Sequence, residues 1–502
     1  MSDLSHLPPA TEPPASLWDA ADSGVLAPAW AGVGANDIVG DRAWVQAILD
    51  VEVALVEAQH ELGMVPDGAQ AVIAGAARVE DISRDAVIRG IYETSNPVIP
   101  IVAELTRLVA DSDEAASEYV HRGSTSQDVM DTAMMLVAER ALRHIQTDLD
   151  LAIDAAAALT AGHRATLAIA RTLTQHAVPT TFGVKAANWL HLLLDTRERL
   201  AAIADSGLPV SLAGAGGTLA AYREYARIAG VPWTSGAQLA GLMAQRLGLA
   251  VRDYPWHTNR VPVAELASAL SIHVGAMGKI AIDVHALSRP EIAEVSEASG
   301  VGHGVSSAMP QKHNPVHTTV LLAAARHAPA VSLILNQAMV AEDERPAGAW
   351  QGEWHALRDL LRTAIGSAHH GKLLLSGLHV VPERMAANLA MSGGAVVSEK
   401  VNAVLAPVIG KRRAKAVLTE ALFNAGSGKG TGAAGLDLRE VFAELLRREQ
   451  VVLGDDELSA LLDPANYLGD SDQIAQAALR RWAARTGKSH ISPVGTQDKP
   501  NE

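Results

Sequence analysis

The sequence predicts an all-α protein, and three observations carry that reading. Aromatic residues make up only 4% of the 502-residue chain, and β-branched alternation is short wherever it occurs, so strand signals amount to one small hairpin at most. Apolar residues recur instead at spacings of three and four, the repeat of a helix face. The longest of these stretches are also rich in alanine, as expected of helices packed on more than one side.

Taken in order, the first segment, 1–20, carries four prolines by Pro14 and reads as a disordered tail. From Asp41 on, Trp44, Ile48, Val51, Leu55 and Leu62 fall on one helix face, and Pro66 and Gly68 end that helix. Between Asp131 and Ala161, the residues Met135, Ala138, Leu142, Ile145, Leu149, Ala152, Ala156 and Leu159 make a sustained heptad stripe. Ala186, Leu190, Leu193 and Leu200 continue the theme over 181–203, and the Pro/Gly-rich stretch 208–217 interrupts it. Val263, Leu266, Leu270, Met277, Ile280, Val284 and Leu287 form a third stripe, broken only by His273. A smaller helical region begins after Leu375, and 485–502 is a polar, loose tail. The division expected is an N-terminal helical domain over 21–123, a central helix bundle over 124–372 and a C-terminal helical domain over 373–484.

Composition narrows the function. With 41 basic and 56 acidic residues the formal charge is −15, which argues against nucleic acid or an anionic membrane as main partner but leaves small anionic substrates open. Cysteine is absent, which excludes disulfides, thiolate catalysis and Cys-ligated metals and fits a reducing cytoplasm. No run of 18 uninterrupted apolar residues occurs, so a cytoplasmic protein without a membrane partner is expected.

The stretch most able to carry chemistry is GHGVSSAMPQKHNP at 302–315. A glycine- and serine-rich loop runs into Lys312 and an Asn-Pro pair and then into an apolar run, so it ends at a helix start. Unpaired N–H groups and the dipole of that start attract carboxylates, and Lys312 adds a full charge. A serine hydroxyl in such a field can serve as base or nucleophile. A second stretch, YVHRGSTSQD at 119–128, crowds His121, Arg122, Ser124, Thr125, Ser126 and Gln127 before the heptad helix, more than capping needs. A third, RTLTQHAVPT at 171–180, is expected at the start of another bundle helix. A fourth, EDERPAGAWQGEW at 342–354, sets Arg345 beside two tryptophans, as at the edge of a partly apolar pocket.

Three patterns are set aside. His313 and His317 stand one helical turn apart but lack a spaced acidic third ligand, so no metal is expected. The run at 424–431 has Phe423 where a phosphate loop begins with Gly, and Gly430 where it needs Ser or Thr. Gly214 to Gly217 follows no strand and reads as close helix packing.

SSAMPQKHNP resembles the signature loop of the aspartase/fumarase superfamily, and the second and third stretches resemble its other two shared regions. The 342–354 segment, with 121–132 and 172–183, is most similar to the 3-carboxy-cis,cis-muconate cycloisomerase branch. The resemblance spans about residues 25–450. It implies three helical domains in a homotetramer whose active sites lie where three subunits meet, and a reaction that needs no cofactor. It further implies that Ser306 removes a proton next to a substrate carboxylate, giving an aci-carboxylate stabilised by Lys312, Asn314 and the helix N-terminus. His121, Arg122, Thr125, Ser126, Gln175, Ser307, Met309 and Arg345 would hold a small di- or tricarboxylate, while the loop 297–305 closes over it. The superfamily's general-acid histidine aligns with Leu173, and His176, three positions on, is the candidate in its place. The branch usually has Arg where His313 stands, which suits a smaller substrate. Two activities follow from the resemblance: cycloisomerisation of 3-carboxymuconate, or elimination of nitrite from nitrosuccinate to give fumarate. Adenylosuccinate cleavage ranks third, and an inert structural role is disfavoured by the retention of Ser306, Lys312 and Asn314.

Overall fold

The computed structural model describes residues 23–233, 235–298, 304, 309, 311–426 and 438–488. Its main elements in the first half are α1 (Asp41–Glu61), α2 (Arg84–Thr94), α3 (Val98–Ser112), α4 (Ser126–Gly162), β1 (Leu167–Thr172), β2 (Gln175–Thr181), α5 (Phe182–Ser206), α6 (Ala220–Ile228) and α7 (Gly236–Leu247). There follow α8 (Val261–Leu287), β3 (Val295–Ser296), α9 (Val316–Gln337), α10 (Ala349–Ser376), β4 (His379–Val380), α11 (Pro382–Ala390), α12 (Ser398–Ile409), α13 (Lys411–Gly426), α14 (Leu438–Arg448), α15 (Asp455–Leu462) and α16 (Ser471–Thr486). The class is all-α, as the apolar spacing requires. The chain forms two compact units: Met1–Leu149, Thr196–Gly278 and Val320–Gly371 make the first, and Asp150–Asp195, Lys279–Thr319 and Lys372–Glu502 the second.

In the first unit, α2 is capped by the Ser83 hydroxyl, which accepts from Ala86 N. It meets α3 at Gly90, where a Cβ would fall 2.4 Å from that of Pro100. Pro97 sets the start of α3, whose Ile101, Leu105 and Val109 are buried one turn apart. α7 is tied to α1 by Arg246, which reaches Glu57 and Glu61. Helices α8 and α9 approach closely at Gly278, where a Cβ would stand 2.3 Å from the Cβ of Ala325. Every residue of the α4 stripe is buried, as is the α8 stripe, His273 included, and both stripes run on into the second unit, after Leu149 and after Gly278.

In the second unit, Val401, Leu405, Ala414, Val417, Phe442 and Leu445 gather α12, α13 and α14 into one core. Trp482 of α16 is buried and donates to Asp154 at 2.8 Å. The segment 171–180, expected at a helix start, is instead most of an antiparallel hairpin, β1 with β2. Thr172, Val178, Thr180 and Thr181 favour extended backbone, Pro179 would cost a helix interior one of its hydrogen bonds, and Leu173 and Thr174 make the turn with φ of 48° and 68°. The helix begins only at Phe182.

Among the described residues two helices, α8 and α9, are long and apolar enough by composition to cross a membrane, and the richest windows are 61% and 44% buried within the fold.

Candidate active site

In the first unit the site is built around the entrance to α4. His121 takes a positive φ of 56° and Gly123 one of 83°, which turns the chain so that His121 Nδ1 lies 2.6 Å from Glu52 Oε1. Burial pulls the His121 pKa down, but the Glu52 carboxylate, with Asp128 beyond it, more than reverses this and leaves it above 6.5. The Arg122 guanidinium lies over the rings of Tyr119 and Tyr225, 4.6 and 4.4 Å from their centres. Its faces are thus given to cation–π contacts and its plane is fixed.

Thr125 and Arg345, 220 residues apart, meet directly: Arg345 Nη2 donates to Thr125 Oγ1 at 2.7 Å. Arg345 Nε donates to Gln127 Oε1 at 3.0 Å, and Trp350 lies beneath the guanidinium at 5.9 Å. Ser126 Oγ accepts from Asn96 Nδ2 at 3.0 Å. Among the described residues no carboxylate pairs with Arg345; its partners are neutral oxygens. A half-buried cation held this way keeps its charge for an outside anion.

Below this edge sits the buried carboxylate of Asp128. Oδ1 accepts from Ala213 N at 2.7 Å and faces His257 Nε2 at 2.9 Å. Oδ2 accepts from Gly214 N at 3.0 Å, Thr125 N at 3.2 Å and the Tyr222 hydroxyl at 3.2 Å. Burial, then the Asp128 charge, push the Tyr222 phenol well above its ordinary range, so it stays a donor. Asp128, Asp131, Arg260, His257 and Glu353 are not among the site residues the sequence singles out. The available signal was polar residues inside a stripe: Gln127, Asp128, Asp131 and Thr132 occupy two turns of a helix otherwise apolar on that side.

In the second unit, Lys312 and His313 are exposed, and Asn314 N donates to Gly304 O at 2.9 Å. Asn314, His313 and His317 line a cavity of about 100 Å³ with Ser288, Ser296 and Glu297. Met309 is 44% exposed. Ser306 and Ser307 lie outside the described residues, as do 299–303 and 305 of the expected lid and 427–431 of the glycine run. The first N–H groups of α9, expected to meet negative charge developing on a substrate, are taken by Glu297, which accepts from His317 N at 3.1 Å and Thr318 N at 2.7 Å. An internal carboxylate caps this helix in the way an anion would.

His176 is exposed on β2 and opposite Arg171 in register. Partial burial, then Arg171, push its pKa below 6.5 against the opposing pull of Glu294. Arg171 itself grips Glu294 with both ends of its fork, at 3.0 and 2.6 Å, and Asn388 donates to the same carboxylate at 2.8 Å. Gln175, also exposed, donates to Thr174 Oγ1 at 3.3 Å, and Leu173 at the hairpin turn is 96% exposed. Among the described residues no three His, Asp or Glu side chains cluster closely enough to hold a metal ion.

The profile of a family described as lyase matches residues 30–329. The chain is 47% identical over 458 residues to the nitrosuccinate lyase of Streptomyces davaonensis, covering 91% of this chain and 94% of that one. It is 38% identical over 453 residues to the 3-carboxy-cis,cis-muconate cycloisomerase of Pseudomonas aeruginosa, covering 90% and 95%. The crystal structure of the 3-carboxy-cis,cis-muconate lactonizing enzyme from Pseudomonas putida superposes with a TM-score of 0.81 at 33% identity, covering 92% of this chain and all of that one. An all-α chain with this fold and these relatives is an enzyme, a lyase. It belongs to the lyase family of the aspartase/fumarase superfamily, in the branch that holds the muconate cycloisomerases and nitrosuccinate lyase.

Proposed function

We propose that the chain eliminates nitrite from nitrosuccinate to give fumarate. The observation that carries the reading is the 47% identity to a nitrosuccinate lyase, against 38% to a cycloisomerase of similar coverage. Two residues support it. His313 replaces the arginine usual in the cycloisomerase branch, which removes a permanent fork-shaped cation and fits a substrate with one carboxylate fewer. Leu173 stands where the superfamily's general acid aligns, and nitrite is a weakly basic anion that departs without being protonated.

In this reading Ser306 takes a proton from the carbon next to one carboxylate. The electron pair is held as an aci-carboxylate by Lys312 and Asn314, then forms the double bond as the carbon–nitrogen bond breaks and nitrite leaves. Thr125, Ser126, Ser307, Arg122, His121, Gln175, Met309 and Arg345 bind the dicarboxylate, His176 is left without an obligatory proton to give, and no cofactor takes part. The same reading includes a cytoplasmic homotetramer with three domains per chain, at 21–123, 124–372 and 373–484, and shared active sites. Exposed Ile272, Leu333 and Ile334 on α8 and α9 support an interface there, and a stable monomer in light scattering would remove it.

The test is a paired ultraviolet assay. With nitrosuccinate, fumarate and nitrite should appear one for one, and Ser306→Ala should abolish turnover. With 3-carboxymuconate, loss of the diene absorbance without nitrosuccinate turnover would replace the proposal by the cycloisomerase activity.

A further inference from the structure

Among the described residues Arg345 has no carboxylate partner, and what fixes its plane is an amide. Gln127 is fully buried. A carboxamide can be turned two ways, but here both Nε2 hydrogens have acceptors, Asp131 Oδ2 at 3.2 Å and the His257 carbonyl at 2.9 Å. Oε1 must therefore face Arg345 Nε. Asp131 is held just as firmly. It accepts from Trp350 Nε1 at 2.9 Å and from Arg260 Nη1 and Nη2 at 2.6 and 3.2 Å. Arg260, 1% exposed, is anchored from behind by Glu353, whose Oε1 accepts from Nε at 2.9 Å. A single run of hydrogen bonds thus joins Glu353, Arg260, Asp131 and Gln127 to Arg345 and ends on Thr125.

A buried network of this kind can serve simply to hold α4 and α10 to the segment that leads into α8. That role explains Asp131, Arg260 and Glu353 but not the last step, in which a saturated core amide turns its oxygen outward to a half-buried arginine. With Nε on Gln127 and Nη2 on Thr125, the guanidinium is clamped along one edge, and Nη1 is left as the donor that faces away from the clamp.

We propose that Gln127 is a positioning residue: backed by Asp131 and the Arg260–Glu353 pair, it fixes the plane of Arg345 so that the Nη1 edge meets a substrate carboxylate. The inference rests on the dicarboxylate reading above. It makes fork geometry, and not charge alone, the basis of recognition at this position.

Succinate, which has the carbon skeleton of nitrosuccinate but no leaving group, is the binding probe, measured by calorimetry beside kcat and KM. Arg345→Lys keeps the charge, loses the clamp and sits at a half-buried position that tolerates it. It should weaken succinate about tenfold and raise KM to match, with kcat changed less than about twofold. Gln127→Met keeps the bulk and deletes the hydrogen bonds, and it should do the same. Combined with Arg345→Met it should add nothing, since the two act through one guanidinium. Arg345→Lys binding succinate like the wild type would overturn the proposal, and so would additive losses in the double variant. Wild-type protein that neither binds succinate nor turns over nitrosuccinate would overturn the functional reading, and this inference with it.

Discussion

Asp128→Asn is the substitution whose cost the structure defines most completely. The carboxylate offers an acceptor on both sides, whereas the amide offers one. If the new NH₂ replaces Oδ2, it faces the N–H groups of Gly214 and Thr125, and both lose their acceptor. If it replaces Oδ1, it faces Ala213 N–H and His257 Nε2. The imidazole can then accept only by moving its proton to Nδ1, a buried atom with no partner among the described residues. Either way two buried donors are orphaned, at about 1–3 kcal/mol each, so the expected loss is about 4 kcal/mol. For 502 residues the unfolding entropy is about 1 kcal/mol/K, which converts this to a fall in Tm of about 4 °C. Differential scanning calorimetry reads the shift, and Asp128→Glu, which keeps two acceptors, is the paired control. A Tm for Asp128→Asn within about 1 °C of wild type would refute the reasoning.

Arg171→Ala should leave Glu294, a carboxylate 2% exposed, with Asn388 as its remaining side-chain partner among the described residues. A cost of about 3 kcal/mol is expected, read as faster hydrogen exchange of the β1–β2 amides. Burial pushes the fully buried His273 down to about 4, so the unfolded state binds the proton more tightly. Its contribution to stability is complete above pH 6.5 and is lost as pH falls toward 4, about 3 kcal/mol in all. His273→Leu should accordingly flatten the decline in Tm over that range. Gly278→Ala would push a methyl group into Ala325 and should cost about 1–3 kcal/mol by forcing α8 and α9 apart. A variant as stable as wild type in thermal melts would show that the two helices slide freely.

The helices were legible because burial repeats. From Met135 to Leu159 and from Val263 to Leu287, the residues chosen by spacing alone are the residues the fold buries. The hairpin was less legible: RTLTQHAVPT lies between helical segments and was read with its neighbours, although its threonines and Pro179 were arguing for extended chain. At the site, Thr125 and Arg345 stand together as two separately chosen stretches. The groups behind them were invisible for a physical reason. Arg260 and Glu353 look like surface charges in one dimension, and only the fold, which sets Arg260 just ahead of α8 against Asp131 of α4 and Glu353 of α10, shows that they are neutralised inside. The role of Glu297 was hidden in a similar way, since nothing in the sequence says that a carboxylate 20 residues upstream returns to cap α9.

The Asp128 cluster also has a place in time. Its partners at Ala213, Gly214, Tyr222 and His257 lie 85 to 129 residues away along the chain. None of these bonds can form until loops of that length have closed, and closure entropy is spent before the contacts return anything. On that ground they are expected on the late side of the folding barrier, where stabilising contacts slow unfolding and leave the folding rate alone. Asp128→Asn should shorten the lifetime of the folded chain, seen as faster proteolysis under conditions where cleavage outpaces reclosing, while refolding proceeds at its former rate. The carboxylate that anchors the site is in this sense a latch on the whole unit, closed last and opened first.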